Sequence, residues 1–278
     1  MLRSLDSGVS ALQQFQQSMD VIGNNIANVD TVGFKSASVR FADALSQTLS
    51  GPRAAGAKQV GTGVLTASIT NDFTQGAINN SGGLTDLAIN GNGYFTVRDP
   101  RDGAIFATRA GQFRVDVDGY LVTPTGMRVQ GNASYDVNEV ATLGDILIDN
   151  GGGNNGGSTA KLASYGFDER GQLNIRLGDG TQYTRGQILL SNFLSPEQLL
   201  KEGNSLYSGL AGAGPIQQDG TPGSNGLGGL IPSSLERSNV DIAVEMTSLI
   251  TTQRAFQASA KIITTSDEML QELVNLKR

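Results

Sequence analysis

The sequence predicts an α+β fold, in which discontinuous N- and C-terminal helices flank a mainly antiparallel β middle domain. Long heptad patterns of apolar residues occur only near the two ends of the chain. The chain contains 37 glycines and 7 prolines, yet neither residue occurs after Pro232. Between the ends, short runs of alternating apolar and polar residues are separated by Gly, Asp and Pro. We therefore expect the two ends to form a coiled-coil-like helical layer and the middle to form a β-domain.

The N-terminal heptad pattern predicts one long helix. Gln16 and Gly23 fill the two polar or small positions of its apolar seam. We expect the helix to end at Ile26 or Val29, because a cluster of asparagines can cap it and Gly33 allows the backbone to turn. The seam residues proposed to contact other subunits are Leu5, Val9, Leu12, Met19 and Ile26.

The C-terminal heptad pattern predicts a second and longer helix. If the segment from Asn239 to Leu276 forms one helix, it measures about 55 Å at the usual rise per residue. Ser238 is the expected N-cap, and Asp241 is expected in the first turn near the positive helix end. The seam residues proposed as a subunit interface are Ile242, Met246, Leu249, Phe256, Ile263, Leu270 and Val274.

The two seams allow two interpretations. The helices either pack within their own domain, as amphipathic helices usually do, or contact neighbouring copies of the chain. Two features favour contacts with neighbouring copies. The flanking residues are rich in Gln, Asn, Ser and Thr, so few ion pairs support an isolated helix. Further apolar residues widen the narrow stripe; these are Phe15, Ile22, Ile262, Met269 and Leu273.

The middle of the chain is dominated by strand and turn signals from Gly61 onward. Before this point, residues 36 to 60 are ambiguous, and Val39, Phe41, Leu45 and Leu49 fit a short amphipathic helix. Hairpin turns are expected at Arg98–Gly103 and at Asp118-Gly119. The alternating segments predict a compact antiparallel sandwich or irregular barrel.

The second half of the middle should contain further strands, a helical turn and two irregular segments. We expect strands at Leu162–Phe167, Gly171–Leu177, Tyr183 and Gln187–Phe193. Pro196 to Glu202 predicts one or two helical turns. The Gly-rich run Asn150–Gly157 is expected to be either a flexible loop or the remnant of a missing insertion, and Gly203–Gly229 an extended connection.

These segments predict three regions along the chain. Residues 1–30 and 239–278 would form a terminal helical core domain. Residues 31–72 and 226–238 would form a linking region, and residues 73–225 an outer β-domain. Since the two helices lie at opposite ends of the sequence, they pair only if the middle returns the chain to its start.

The composition argues against catalysis and against a bound cofactor or metal. The chain has no His and no Cys, which removes the commonest general base, thiolate chemistry and the usual zinc ligands. Candidate acid pairs, Asp116 with Asp118 and Asp168 with Glu169, lie in turn sequences where Asp is expected for backbone reasons. A calcium loop at Asp116 would have its glycine too early and lacks the distal Glu. The glycine-rich segment at Gly91 leads into a strand pattern rather than into the helix that a phosphate loop requires. We expect a protein that is not an enzyme.

The charge distribution makes nucleic acid and membrane partners unexpected. The formal net charge is −6 and the basic residues are scattered. No apolar run is long enough to cross a bilayer. The N-terminal sequence lacks the features of a cleaved secretory signal, so the expectation is either a cytosolic protein or export without such a signal.

Three segments of the chain resemble the bacterial flagellar rod and hook axial proteins. NNIANVDTVGFK is similar to the N-terminal signature of this family, whose motif residues here are Asn24, Asn25, Asn28, Gly33, Phe34 and Lys35. GLTDLAINGNGYFTVRD and TRAGQFRVDVDGYLVTPTGM are similar to its β-domain signature. TTQRAFQASAKIITTSDEMLQELVNLKR is similar to its C-terminal helix. Residues 150–230 carry little of the resemblance.

The resemblance implies a structural subunit that polymerises outside the cell. VGTGVLTASITNDFTQGAINNSGG and the final NLKR are most similar to short-type hook proteins, whose curved tube acts as a universal joint that transmits torque. The alternative within the family is the distal rod of the basal body. The implied partners are further copies of the chain, the distal rod protein, the hook cap and hook–filament junction proteins, and the type III export apparatus. Outside the family, the alternatives are a stalked surface binding module and an enzyme that uses carboxylates.

Overall fold

The computed structural model describes residues 2–48, 59–133, 143–149 and 161–276. Helix α1 spans Leu2–Ala27 and helix α2 spans Ile242–Leu276. The strands are β1 Ala37–Asp43, β2 Ser46–Thr48, β3 Gln59–Gly61, β4 Val64–Asn71, β5 Ile78–Asn80, β6 Leu87–Asn90, β7 Tyr94–Arg98, β8 Ile105–Thr108, β9 Arg114–Val115, β10 Leu121–Val122, β11 Arg128–Asn132, β12 Leu143–Asp145, β13 Leu162–Phe167, β14 Gln172–Leu177, β15 Gln182–Ile188, β16 Leu190–Phe193, β17 Leu200–Gly203, β18 Leu206–Ser208, β19 Pro215–Gly220, β20 Gly229–Pro232 and β21 Ser234–Glu236. The predicted α+β class is confirmed, whereas the coiled-coil-like layer stays a prediction.

The chain divides into two compact units. The helical unit contains Met1–Val29, Lys35–Asp72 and Val240–Arg278. The β-unit contains Asp30–Phe34 and Phe73–Asn239. Both units are therefore built from segments that are distant in the sequence. The three-region division predicted above remains a prediction.

In the helical unit, α1 and α2 pack against each other in opposite directions. Near the start of α1, a Cβ added to Gly8 would lie 3.1 Å from Cγ1 of Ile263, which lies in the second half of α2. Near the end of α1, the side chain of Asn25 donates to Glu245 in the first turn of α2. The chain thus brings its two ends together as expected.

The start of α2 differs from the prediction. The helix begins at Ile242, three residues after the expected start. Asp241 Oδ1 accepts hydrogen bonds from the backbone N–H groups of Ala243 and Val244, at 2.8 and 3.3 Å. Asp241 is therefore the N-cap in place of Ser238, because its carboxylate satisfies two N–H groups of the first turn.

The helix considered for residues 36 to 60 is wrong for the part that is described. Residues 37–43 form β1, which pairs with β4 along its whole length, and β2 pairs with β3. Phe41 packs edge-on against Phe15 of α1, with ring centroids 6.3 Å apart. Pairing with β4 satisfies backbone groups that a short isolated helix would leave open at its ends. Leu49 lies outside the described residues.

The β-unit is built around one branched antiparallel sheet. Its main path runs β13-β14-β15-β11-β7-β8-β18-β17, and β20 with β6 and β21 with β5 form two further pairs. The expected turn at Arg98–Gly103 joins β7 to β8, and the Asp118-Gly119 turn joins β9 to β10. The main apolar core lies on this sheet and includes Phe95, Leu121, Val129, Leu173 and Ile188.

The segment Gly203–Gly229 is not only a connection, as the sequence had suggested. Within it, β18 joins the sheet beside β8, and β19 pairs with β16. Both segments satisfy their backbone groups by adding to sheet edges, which glycine-rich composition alone does not reveal. The helical turn expected at Pro196 is a short 3₁₀ helix over Pro196–Gln198, after which β17 begins. The run Asn150–Gly157 lies outside the described residues.

Candidate assembly site and junction

The predicted seam of α1 lies largely within the helical unit. Leu5, Leu12, Met19 and Ile26 are half-buried, and Val9 is exposed. Ile22, which the sequence assigned only to the widened stripe, is the most buried large apolar side chain among those described in this helix. One face of α1 is therefore covered inside the subunit, which is the simpler of the two sequence interpretations.

The predicted seam of α2 separates into two groups. Leu249, Phe256, Ile263 and Leu270 recur every seven residues and are half-buried, on the side where Ile263 faces Gly8 of α1. Ile242, Met246 and Val274 are exposed in the subunit. The structure therefore places only the first group against α1 and leaves the second group available.

The sequence analysis missed the small residues at the contact between the helices. Ser259 and Ser266 are the buried residues of α2, and Gly8 is buried on α1. Ser266 donates from its hydroxyl to the carbonyl of Ile262 one turn earlier, so the buried hydroxyl has a partner. Close approach of the helices explains why these positions hold small side chains, which a search for apolar heptads does not detect.

Much of the remaining surface of α2 is apolar and exposed. In addition to the three seam residues, six large apolar side chains of α2 are exposed. These are Val244, Ile250, Ile262, Met269, Leu273 and Leu276. Exposed apolar surface of this kind is typical of contact sites for other molecules.

The motif residue Asn25 links three segments of the helical unit. Its amide group donates 2.8 Å to the carbonyl of Ala37 and 3.0 Å to Glu245 Oε1, and its Oδ1 accepts from the N–H of Ala37 at 3.0 Å. Asn25 is 1 % exposed. Asn28 instead donates to the carbonyl of Asn24 at the end of α1, as a capping residue does. The two motif asparagines therefore have different roles. Asn25 is a buried clamp, meaning a side chain that hydrogen-bonds two other segments, and Asn28 caps the end of the helix.

Replacing Asn25 with alanine should destabilise the helical unit by about 3 kcal/mol, because three buried or half-buried polar groups lose their partner. The matched control is Asn24→Ala, since Asn24 is exposed and should change stability by less than about 0.5 kcal/mol. Urea unfolding followed by helical circular dichroism measures the difference. Equal midpoints for the two variants would show that the Asn25 hydrogen bonds do not support the unit.

The turn after α1 depends on Gly33. This residue has a φ of +67°, and an added Cβ would lie 2.6 Å from the backbone nitrogen of Ala110. Its N–H donates 2.9 Å to the carbonyl of Glu236. The ammonium group of Lys201 lies over the ring of Phe34, 4.6 Å from its centroid. The neighbouring motif residue Lys35 is buried. Backbone conformation and close packing thus explain why glycine occupies this motif position.

A buried ion pair lies within the β-unit, and no local sequence pattern reveals it. Arg109 Nη1 is 3.4 Å from Glu236 Oε2, and the two residues are 4 % and 0 % exposed. Glu236 Oε1 also accepts from the N–H of Gly76, while Arg109 Nε has no hydrogen-bond partner among the residues that the structure describes. The Arg109 guanidinium lies 5.0 Å from the ring centroid of Tyr94. Single Arg and Glu residues 127 positions apart give no local pattern that would identify such a pair.

Tyr94 makes the stability of the β-unit sensitive to alkaline pH. Burial raises the pKa of Tyr94 to about 12, against the opposing effect of nearby Arg109. The hydroxyl of Tyr94 loses its proton near pH 10 in the unfolded chain and near pH 12 in the folded chain. The contribution of the protonated hydroxyl to stability is therefore fully present below pH 10 and is lost as the pH rises through 12. The expected loss is about 3 kcal/mol. Urea titrations at pH 9 to 12 measure it, and a Tyr94→Phe variant should show a smaller decline than the unaltered protein.

Two of the acidic residues considered for catalysis, Asp116 and Asp168, serve local backbone structure. Asp116 Oδ1 accepts from the N–H of Val117, and Asp168 Oδ1 accepts from the N–H groups of Arg170 and Gln172. Among the described residues, no group of three or more His, Cys, Asp or Glu side chains is arranged to hold a metal ion. None of the described helices is long and apolar enough to cross a membrane.

Family models match three parts of the chain. The model described as "Flagella basal body rod protein" matches residues 5–35. The model "Flagellar hook protein FlgE/F/G D1 domain" matches residues 88–175. The model "Flagellar basal body rod FlgEFG protein C-terminal" matches residues 231–276. The matches occur in the same order as the N-terminal, β-domain and C-terminal segments identified above.

Relatives match over the full length of the chain. The chain is 43 % identical over 285 residues to the flagellar basal-body rod protein FlgG of Bacillus subtilis, with 100 % of both chains covered. It is 34 % identical to the rod protein FlgG of Buchnera aphidicola subsp. Baizongia pistaciae, covering 98 % of this chain and 99 % of the relative. It is 28 % identical over 444 residues to the flagellar hook protein FlgE of Borreliella burgdorferi, with both chains fully covered. With these matches and the two terminal helices around an antiparallel β middle, the chain belongs to the family of flagellar basal-body rod and hook proteins, the structural proteins of the flagellar axis.

Proposed function

We propose that this chain is a subunit of the flagellar rod and polymerises there through its terminal helices. The observation that supports polymerisation is the exposed apolar surface of α2. Ile242, Met246 and Val274 are predicted seam residues whose side chains are exposed in the described part of the subunit, and Val274 is 66 % exposed. Burying them against neighbouring helices would supply the free energy of assembly. A head-to-tail contact of this kind generates a helical polymer when its rotation does not close into a ring.

The choice of the rod over the hook is supported by chain length as well as by sequence identity. Alignment with the rod relative runs over 285 residues, close to the 278 residues of this chain. Alignment with the hook relative runs over 444 residues, so a large part of that protein has no counterpart here. This chain lacks the additional part of the hook relative but keeps the three segments that match the family models. This fits assignment to the rod.

The hook remains the second candidate, because specific segments favour it. Residues 60–83 and the final NLKR resemble short-type hook proteins, and a short hook subunit would also lack a large outer segment. In either case we propose that the subunit is exported unfolded through the type III apparatus and joins other axial proteins at the growing end. For a rod subunit, the neighbours would include the hook; for a hook subunit, they would include the distal rod, the cap and the junction proteins.

Electron microscopy of the concentrated full-length protein tests both parts of this proposal. We expect straight tubes whose formation depends on protein concentration. Curved tubes would favour assignment to the hook over assignment to the rod, and the proposed polymerisation would still hold. Discrete small particles at every concentration would overturn the polymer and favour a stalked binding module.

A further inference from the structure

The β-unit contains a cavity of about 180 Å³ formed by segments that are far apart in the sequence. Its walls come from the turn after α1, from the end of β8, from the turn after β10 and from the start of β18. The residues that line the cavity include Val32, Ala110, Gln112, Pro124, Thr125 and Leu206. An apolar cavity of roughly 150 Å³ is large enough to admit a small hydrocarbon group, so this one has room for an aliphatic side chain.

The walls of the cavity offer methyl groups more than hydrogen-bonding groups. Thr108 Oγ1 donates 2.8 Å to the carbonyl of Ser205 and accepts from the N–H of Ala110 at 3.0 Å. Ser205 Oγ donates 3.1 Å to the carbonyl of Val32. The hydroxyls of Thr123 and Thr125 bond to each other at 2.8 Å. Because these polar atoms already have partners within the unit, the space suits an apolar guest.

An apolar side chain of matching size projects from the same unit. Val117 is fully exposed, more than any other large apolar side chain among the described residues, and it lies at the tip of the β9–β10 hairpin. Asp116 Oδ1 accepts from the Val117 N–H at 2.8 Å, which helps to hold the tip in one conformation. A tip constrained in this way loses less conformational entropy on binding than an unconstrained loop does.

The charges beside the tip and beside the cavity are complementary. Asp116 and Asp118 flank Val117 on the exposed hairpin. The exposed Arg114, on β9 of the same hairpin, donates 2.6 Å to the carbonyl of Pro124, which is one of the residues that line the cavity. An acidic tip that enters beside this arginine brings opposite charges together and favours one orientation of the two surfaces.

We propose that Val117 of one copy inserts into this cavity of a second copy of the chain. The contact is heterologous, since the tip and the cavity are different surfaces, and it therefore repeats along a polymer. This inference rests on the proposed polymerisation and adds a contact between β-units to the contact through the helices. The occupant is a second copy because the apolar tip and its acidic flanks match the cavity and its arginine.

Disulfide cross-linking tests the contact, since the natural chain has no cysteine. Full-length Val117→Cys and Gln112→Cys proteins are mixed, assembled into polymers, oxidised and separated without reductant. Gln112 is an exposed residue of the cavity wall. Cysteines held within disulfide range should link on the order of 100-fold faster than a surface pair that meets only by diffusion. The control pair is Val117→Cys with Leu84→Cys, since Leu84 is exposed in the same unit outside the cavity.

Four further outcomes separate the possibilities. Adding Ala110→Leu to the Gln112→Cys protein fills the cavity and should abolish the faster cross-linking. Equal rates for the cavity pair and the control pair in intact polymers would overturn the contact and leave the proposed polymer unaffected. Failure of the unaltered chain to form polymers would instead overturn the proposed function. Cross-linking of Val117→Cys with itself would replace the tip-to-cavity contact by a symmetric contact between tips.

Discussion

Replacing Glu236 with glutamine is expected to destabilise the β-unit by about 4 kcal/mol, because Arg109 would remain buried without its carboxylate partner. Glu236 is fully buried, so solvent cannot compensate for the lost charge. Its carboxylate also accepts from the N–H of Gly76, and its backbone carbonyl accepts from Gly33. The pair therefore fixes the last strand of the unit to segments near its beginning. The effect should be among the largest of any single polar substitution in this unit.

Tyrosine fluorescence during urea unfolding measures this effect selectively. All 6 tyrosines fall within residues 73–239 and the chain has no tryptophan, so the signal reports on the β-unit. The neighbouring control is Arg237→Gln, because Arg237 forms an exposed ion pair with Asp30 and such pairs contribute less than about 1 kcal/mol.

A double variant distinguishes loss of the charge pair from loss of packing. Arg109→Met combined with Glu236→Leu removes both charges and keeps apolar volume, so it should recover much of the stability lost by Glu236→Gln. If Glu236→Gln and Arg237→Gln unfold at the same urea concentration, the buried pair does not stabilise the unit.

Replacing Phe256 with aspartate is expected to abolish polymerisation, since it places a charge on the apolar side of α2. Phe256 is half-buried and lies on the seven-residue repeat that includes Ile263. The matched control is Gln257→Asp, which adds the same charge at the next position, where the side chain is exposed. Sedimentation and electron microscopy compare polymer yield for the two variants. Normal polymers from Phe256→Asp would show that this seam is not needed for assembly.

A second variant separates assembly from folding of the subunit. Met269 is 48 % exposed in the subunit, so Met269→Asp should leave helical circular dichroism unchanged. We nevertheless expect it to reduce polymer yield, because a contact between copies would bury this side chain. Loss of helix in Phe256→Asp with normal assembly of Met269→Asp would assign the seam to packing within the subunit.

The helices illustrate what periodic patterns can predict. Apolar residues at heptad spacing and the absence of Gly and Pro identified both terminal helices, because these signals are local and repeat many times. The start of α2 was misplaced by three residues, since Ser238 and Asp241 are both acceptable caps and only the path of the chain selects one. Periodicity also did not separate Phe256, which is half-buried, from Met246, which is exposed.

The segments between the helices show where local patterns fail. Val39 and Phe41 fit a short helix as well as a strand, and pairing with β4 decides in favour of the strand. The glycine-rich segment after Gly203 supplies β18 and β19, because distant sheet edges provide their hydrogen-bond partners. For the motif asparagines, sequence indicated a helix end, but it did not distinguish the Asn25 clamp from the Asn28 cap.

The sequence by itself determined the α+β class, the two terminal helices, most strands of the middle and the resemblance to flagellar axial proteins. These features depend on residues close together in the chain or on whole motifs. Only the tertiary structure decided which seam residues are covered, that Arg109 meets Glu236, and that separated segments enclose a cavity in the β-unit. Such contacts arise when the chain brings distant residues together, and their free energies depend on burial, which is a property of the folded molecule.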